Sequence, residues 1–302
     1  MGEVKTYKTS DATSTSEAKQ PVLKLAGNSI TKVRVYIWLE GQDIDNYDII
    51  SKNPSVKIKF GLTKDRYGID DTNNTSINTR ASSFQDDSWA KIKSNIQNEN
   101  TSQYNVGDMR TIRTNGKEYK LRLVNKSTNS NCSNISYSQT ACGFVVEFVD
   151  VIWSQSSMNT SATNRYGWNM SNIRTNLRDS IYNNLPSDLK SVITSTRVIS
   201  GHGSSDSSNH TSTDNLYLLS GVEIFGADDL DTAASATRQL DYYVGKSNSD
   251  RIKSYQDNNQ SYWLRTAISN NNNSFRTVSS NGTLSGDIAF SYCGLAPAFR
   301  IG

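Results

Sequence analysis

The chain has 302 residues, 32 Lys and Arg against 29 Asp and Glu, and a formal net charge of +3, a length that holds one large domain and a smaller one. The basic residues are dispersed, which excludes a nucleic-acid-binding stripe. No apolar run is long enough to cross a bilayer as a helix, which argues against direct membrane insertion.

Residues 1–20 are polar and Ser/Thr-rich, without the apolar stretch of a secretory signal, and read as a disordered linker behind an expression start. Residues 21–65 carry three β-prone runs, at 22–25, 33–39 and 56–60. The run from Lys32 to Trp38 alternates apolar and polar residues as a half-buried strand does. Three strands do not make an independent sandwich. This β-rich segment is therefore expected to pack on the larger domain or to be the end of a truncated β-sandwich. Residues 66–85 form a polar linker.

The second domain is expected over 86–302. Ser88 is a helix N-cap ahead of WAKIKSNI. Strands at 109–114 and 118–124 flank Asn115 and Gly116, a hairpin turn signal because both residues tolerate positive φ. The apolar stretch 144–153 reads as a central strand. Residues 172–182 and 186–193 have helical periodicity behind cap-like starts. LYLLSGVEIFG, 216–226, is a buried element, and hairpins close the chain. The class is α+β.

Of the three cysteines, Cys132 and Cys142 bracket the loop CSNISYSQTAC. A disulfide there closes a short, polar, poorly packed loop in an oxidising compartment; the alternative is two reduced, partly buried thiols. Cys293 has no obvious mate. A composition rich in Ser, Thr and Asn, with 15 Tyr, fits an exposed, β-rich, secreted or surface protein.

The stretch 261–302, SYWLRTAISNNNNSFRTVSSNGTLSGDIAFSYCGLAPAFRIG, frames small polar residues between Trp263-Leu264-Arg265 and the run from Gly294 to Arg300. Asn281-Gly282 is a second hairpin signal, and only Ile288 and Phe290 keep strand alternation. From Ile268 to Cys293 there is no Lys, Glu, Gln, Met or Trp. Those are the types that a codon ending in a pyrimidine cannot encode. Asn codons randomised at their first two bases yield Asn, Ser, Thr, Ile, Asp, Gly, Arg, Tyr and Cys, the types found here. The alternative is an ordinary Asn-rich polar loop.

Two resemblances follow. VRVYIWLEGQDID resembles the closing strand of camelysin-like secreted β-sandwich proteins of Gram-positive bacteria. Seven blocks in order, among them SWAKIKSNIQ, GWNMSNIRTNLRDSIYNNLPSDLKSVI, STDNLYLLSGVEIFG, YWLRTA and APAFRIG, resemble an uncharacterised C-type-lectin-fold domain family of gut clostridia and their phages. Members of that family include targets of diversity-generating retroelements, and the fold is shared distantly with formylglycine-generating enzymes. The resemblance implies a variable region at 263–300. Its diversified, ligand-binding positions would be Ile268, Asn270, Asn271, Asn273, Ser274, Arg276, Thr277, Ser279, Ser280, Asn281, Thr283, Ser285, Gly286, Asp287, Ile288, Ser291 and Cys293. The fixed frame would be Trp263, Leu264, Arg265, Phe275, Val278, Gly282, Ala289, Gly294, Pro297, Phe299 and Arg300. Leu295 stands where Val is commoner.

Other chemistry is less well supported. His202, Asp206 and His210 share one loop but lack a third strong zinc ligand in a fixed element. Asp228, Asp229 and Asp231 are the nearest approach to a calcium cluster, without the proline-flanked acidic-amide motif of sugar-binding C-type lectins. Oxidases of the formylglycine kind use a pair of redox-active cysteines near the C-terminus, where this chain has Cys293 alone. The expectation is therefore not an enzyme. It is an extracellular or surface-displayed receptor, without cofactor, for a protein or glycan on another cell or surface, with Arg276, Phe290 and Tyr292 among its contacts. A fixed-specificity calcium lectin or adhesin is the alternative, and a formylglycine-type oxidase a more distant one. Trp263 and Arg265 are expected to lock the hairpins to the core, with the Arg on backbone carbonyls.

Overall fold

The computed structural model describes residues 82–302. The expected linker 1–20, the β-rich segment 21–65 with its camelysin-like run, and residues 66–81 lie outside them. Residues 82–85, assigned to the linker from sequence, belong to the fold. Phe84 is fully buried, edge-on to Trp89 and Tyr104 at centroid distances of 6.0 and 6.4 Å.

Helix α1, Trp89–Gln97, begins where the Ser88 hydroxyl accepts from the Lys91 amide at 3.2 Å. That bond satisfies one of the helix's free N–H groups. Strands β1, Met109–Thr114, and β2, Lys117–Asn125, form the first hairpin, with Asn115 and Gly116 at φ of 49° and 73°. Positive φ at both turn residues matches the right-handed twist of the strands, which is why Asn-Gly marks such turns.

Two five-stranded sheets organise the domain. In the first, β3, Phe144–Phe148, is central and every residue of it is buried. On one side it pairs with β2. On the other it pairs antiparallel with β14, Ala298–Ile301, with Phe299 opposite Val146. β14 in turn pairs with β5, Ile193–Thr194. The expected strand over 144–153 is two strands in different sheets. The chain turns at Asp150, whose carboxylate accepts from the Ser254 amide at 3.1 Å, and re-enters as β4, Trp153–Ser156. The apolar-rich composition of the run hides the break: β3 is buried throughout, whereas β4 alternates exposed and half-buried residues.

The expected helix 172–182 follows a helical path in three pieces: α2, Asn172–Asn176, a wide π turn over Leu177–Ile181, and a 3-10 turn over Tyr182–Asn184. The expected helix 186–193 shortens to α3, Ser187–Lys190. Ile193 leaves it to form β5 with Thr194, where β-branched side chains fit a pleated surface. A hairpin of β6, Thr196–Ser200, and β7, His210–Asp214, follows. The buried element at 216–226 contains α4, Gly221–Phe225. The Ser220 hydroxyl accepts from the Glu223 amide while the Glu223 carboxylate accepts from the Ser220 amide, a capping box. A short hairpin, β8, Lys253–Tyr255, and β9, Asn258–Gln260, precedes the second sheet.

The second sheet is built on β10, Tyr262–Ala267, all six residues of which are buried. β11, Ser274–Val278, and β12, Leu284–Ile288, extend it on one side. β13, Cys293–Leu295, pairs with β10 in parallel and with β4 antiparallel. Cys132 and Cys142 are joined as a disulfide with Cα atoms 6.0 Å apart. Arg197 holds the loop between them by donating to the carbonyls of Asn134 at 2.7 Å and Tyr137 at 3.0 Å.

Two buried charge clusters tie the layers together. Arg265 was expected on backbone carbonyls. It does donate to Leu218 O at 2.9 Å, but its main partner is the Glu223 carboxylate. Burying a guanidinium requires a charged mate. Glu147 accepts from Arg122, Lys253 and Tyr243. Burial alone would raise the Glu147 carboxyl; Lys253 and Arg122 outweigh it and hold the group below its ordinary value. Burial pulls Lys253 down to about 8, with Glu147 opposing, so both partners remain charged at neutral pH.

Candidate ligand-binding face

The sequence-predicted site residues converge on β11, β12 and the loops at their ends. In the turn from β10 to β11, Ile268 is buried, Asn270 is exposed, and Asn271 and Asn273 are half-buried. Along β11, Ser274 and Arg276 are half-buried and Thr277 is buried. In the following turn Ser280 and Asn281 are exposed, with Ser279 and Thr283 half-buried. Gly286 and Ile288 on β12 are exposed, and Ser285, Asp287 and Ser291 are half-buried. Cys293 is buried.

Ile268, Thr277 and Cys293, with 7, 3 and 2 % of their surface exposed, correct the expectation that every one of these positions faces a ligand. Ile268 packs beneath Gly286, where an added Cβ would collide with its Cδ1. Thr277 stands opposite Trp263 on β10. The Cys293 thiol lies 3.8 Å from the Asp287 carboxylate, and burial, with Asp287 adding to it, pushes the thiol up to about 12. It is protonated and shielded at neutral pH, poorly suited to a nucleophile or redox partner.

Arg276 departs from expectation as well. Its Nε lies 3.0 Å from each oxygen of Asp228 and its Nη2 2.5 Å from Oδ1. The Asp228 side chain is fully buried, and the Arg276 side chain is 15 % exposed. Asp228 fits because Gly221 beside it has no Cβ to collide with the carboxylate. Arg276 is thus an internal partner of a buried anion, not a free cation on the face. Phe290 and Tyr292, by contrast, are 52 and 72 % exposed. With Ile288 they occupy alternate positions, while Ala289 and Cys293 point inward.

The backbone of this region is fixed from outside it. The Asn164 amide donates to the carbonyls of Ile268, Asn271 and Ser274 at 3.1, 3.2 and 2.9 Å. The amides of Asn164, Ser204 and Asn159 donate to the carbonyls of Asn272, Asn271 and Ala289. Asn271 caps its own turn, its carboxamide accepting from the amides of Asn273 and Ser274. Sequence reasoning missed Asn164 and Ser204, because a loop residue that braces another loop far along the sequence leaves no local pattern. It also missed Glu223, although the Ser220-x-x-Glu223 spacing of a capping box was there to be read.

The Asn281-Gly282 turn departs in type from the two-residue turn the dipeptide predicts. Gly282 alone takes positive φ, 82°. The Gly282 amide donates to Ser279 O at 2.9 Å and the Ser279 amide to Thr283 O at 3.0 Å, a longer loop closed by a left-handed glycine. Gly282 is also pressed onto the Asn248 carbonyl, where a Cβ has no room. Of the expected frame, Trp263, Leu264, Arg265, Phe275, Val278, Gly282, Ala289, Gly294, Pro297 and Phe299 are buried, and Arg300 is half-buried.

Neither candidate metal cluster assembles. Asp228 is paired with Arg276. Asp231 accepts from Thr266 Oγ1 and the Ala233 amide, and burial raises it. His210 Nε2 lies 3.4 Å from Asp206, and His202 Nδ1 lies 2.8 Å from the Gly203 carbonyl. Among the described residues no three His, Cys, Asp or Glu side chains are grouped to hold a metal ion, and no helix is long and apolar enough to cross a membrane.

A family model described as a domain of unknown function (DUF6273) matches residues 145–302. No curated protein and no solved structure matches the chain. The match covers the second sheet, β3 and the whole candidate face, and the chain belongs to this family.

Proposed function

We propose that this DUF6273 protein is a ligand-binding receptor that presents a retroelement-diversified face on a C-type-lectin-like scaffold, displayed outside the cell. The observation that supports the reading best is the partition of the stretch 263–300. The positions assigned to the frame are buried apart from the half-buried Arg300, and most positions assigned to variation are exposed or half-exposed, on a backbone held by residues outside the stretch. Recognition by interchangeable side chains requires this arrangement, since a backbone that moved with each substitution would lose its preorganisation.

The partner is macromolecular, most naturally a protein. Ile288, Phe290 and Tyr292 offer apolar and aromatic anchors amid Ser and Asn, the mixture that adaptable paratopes use. Binding occurs without turnover, and displayed copies gain by avidity. The alternative of a fixed-specificity calcium lectin draws no support from the paired Asp228 and Asp231.

The test is on DNA. The genomic neighbourhood of the gene is searched for a near-copy of the segment encoding 263–300 beside a reverse-transcriptase gene. A copy differing only at adenines is the expected result and marks the binding face residue by residue. Without such a copy in the source genome, the Asn-rich stretch is an ordinary loop and the proposal falls.

A further inference from the structure

A groove away from the variable stretch carries a second reading, which does not rest on the first. A cavity of about 410 Å³ lies between β2 and the tip of the β8–β9 hairpin, and a smaller one of about 130 Å³ adjoins it. Both are lined by Tyr119, Phe148 and Ile152, so the two form one elongated groove. Trp153 stands at the smaller end, 54 % exposed, and Tyr255 at the larger. The larger cavity alone falls within the range of about 300–1,000 Å³ that ligand pockets occupy. No residue from 261 onward lines either part. We infer that this groove is a fixed binding site for an uncharged linear oligosaccharide.

Three observations carry the inference. The first is the aromatic floor. Half-buried Tyr119, braced edge to face by the buried Phe148 at a centroid distance of 5.8 Å, supplies the aromatic surface in the middle of the groove, and Trp153 is a large aromatic left in solvent. A pyranose ring has an apolar C–H face that stacks on such surfaces, and a Trp with one apolar side and one wet edge suits that contact.

The second is the charge pattern. Lys117 and Lys120 alternate with Glu118, Asp150 and Asp257 around the larger cavity. Opposite signs interspersed in this way make no net field for a phosphate or a cation. A wholly apolar segment would desolvate these groups without pairing them. Hydroxyl groups both donate and accept, so one sugar edge satisfies ammonium, carboxylate and carboxamide in turn.

The third is the lip of the groove. Gln256 and Asp257 are consecutive non-glycine residues at φ of 50° and 63°. This is the left-handed region that a β-hairpin turn normally gives to Asn and Gly. Keeping Gln there sacrifices backbone ease and retains a polar side chain on the cavity wall. Departures of this kind concentrate at binding sites. Continuity of the groove past Tyr119 from one cavity to the next calls for more than one ring, hence an oligomer.

The test is calorimetric titration of the full chain with the β-1,4-linked hexasaccharides of N-acetylglucosamine, glucose and mannose. An uncharged apolar hexapeptide and inorganic phosphate serve as comparators. At least one hexasaccharide is expected to bind with Kd of about 1 mM or tighter. Trp153→Ala and Gln256→Gly should each weaken it about tenfold or more, while Tyr292→Ser in the other candidate site leaves it unchanged. Gln256→Gly relaxes the turn as it removes the side chain, so it keeps the test valid should Trp153→Ala fail to fold. The inference is overturned if no hexasaccharide binds at about 5 mM. Binding that survives both groove substitutions, or binding of the peptide alone, overturns it equally. Because Tyr292 and the DNA search report on the other face, either reading can fail without the other.

Discussion

Arg265 and Glu223 meet in a two-pronged contact, Nη1 to Oε2 and Nη2 to Oε1, each at 2.5 Å, with the two side chains 1 and 0 % exposed. Thr140 and Thr237 complete the shell around the carboxylate. The pair joins β10, which opens the stretch 263–300, to α4. Removing one partner strands a buried charge, which typically costs about 3–5 kcal/mol. Arg265→Ala is therefore expected to lose that much in urea unfolding. Arg265→Lys should also lose stability, because an ammonium cannot reproduce the fork. A domain with Arg265→Ala that unfolds within about 1 kcal/mol of the parent would refute this role.

Acid should unfold the domain through two particular groups. Glu223 and Glu147 both sit below their ordinary value in the fold: burial pushes each up, and Arg265 for the one, Lys253 and Arg122 for the other, more than reverse it. A carboxyl lowered in the folded state contributes stability that is present above its unfolded pKa, about 4.3, and is lost as pH falls through the folded value. Melting temperature should accordingly hold from pH 7 to about 5 and drop below about 4.5. Glu147→Gln is expected to lower stability at pH 7 and to flatten the acid slope; an unchanged slope would show that other carboxylates drive it.

Frame and face should respond to mutation in opposite ways. Phe275 is fully buried, and Phe275→Ala should cost about 3–5 kcal/mol. Asn270→Tyr, Ser280→Tyr and Ile288→Ser, at exposed positions, should each stay within about 0.5 kcal/mol. Chemical denaturation of the four variants decides the matter. Comparable losses on both sets would mean that the stretch has no tolerant face.

Two glycines of β12 and its turn should behave differently. Gly282→Ala meets the Asn248 backbone at positive φ, and such strain costs about 1–3 kcal/mol at least. Gly286→Ala meets only the Cδ1 of Ile268, a flexible tip that Ile268→Val removes. The double variant Ile268→Val with Gly286→Ala is expected to be more stable than the sum of its single changes by about 0.5 kcal/mol or more. Strict additivity would show that the two positions do not touch.

Cys293 should be silent toward thiol reagents. With its thiol raised to about 12 and its side chain buried, labelling at pH 8 is expected to be negligible in the folded protein and complete in urea. Rapid labelling of the native chain would mean that β13 opens readily.

Much of the scaffold could be read from local signals. Ser88 as a cap and Asn115-Gly116 as a turn are each decided by a few adjacent residues. The end of helix 186–193 was not, because pairing with β14 takes Ile193 out of a periodicity that is helical by itself. The outline of the candidate face was legible in its composition, and its exceptions were not. Nothing in the sequence marks Arg276 as belonging to Asp228, which lies 48 positions away, or Ile268 as lying under Gly286. Whether a position points outward depends on what packs across it, and that partner is set by the fold as a whole.

The placement of β14 has a consequence for how the chain is made. Ala298–Ile301 is inserted between β3 and β5, with a strand on either side, and it is encoded downstream of residues 268–293. The first sheet therefore stays split until residues 298–301 have left the ribosome. A product that terminates early or shifts frame within 268–293 lacks the strand that joins its two halves and leaves β3 and β5 each with an unpaired edge. Side-chain changes within 268–293 leave that closing strand in place, whereas a lost reading frame removes it and with it the link between β3 and β5.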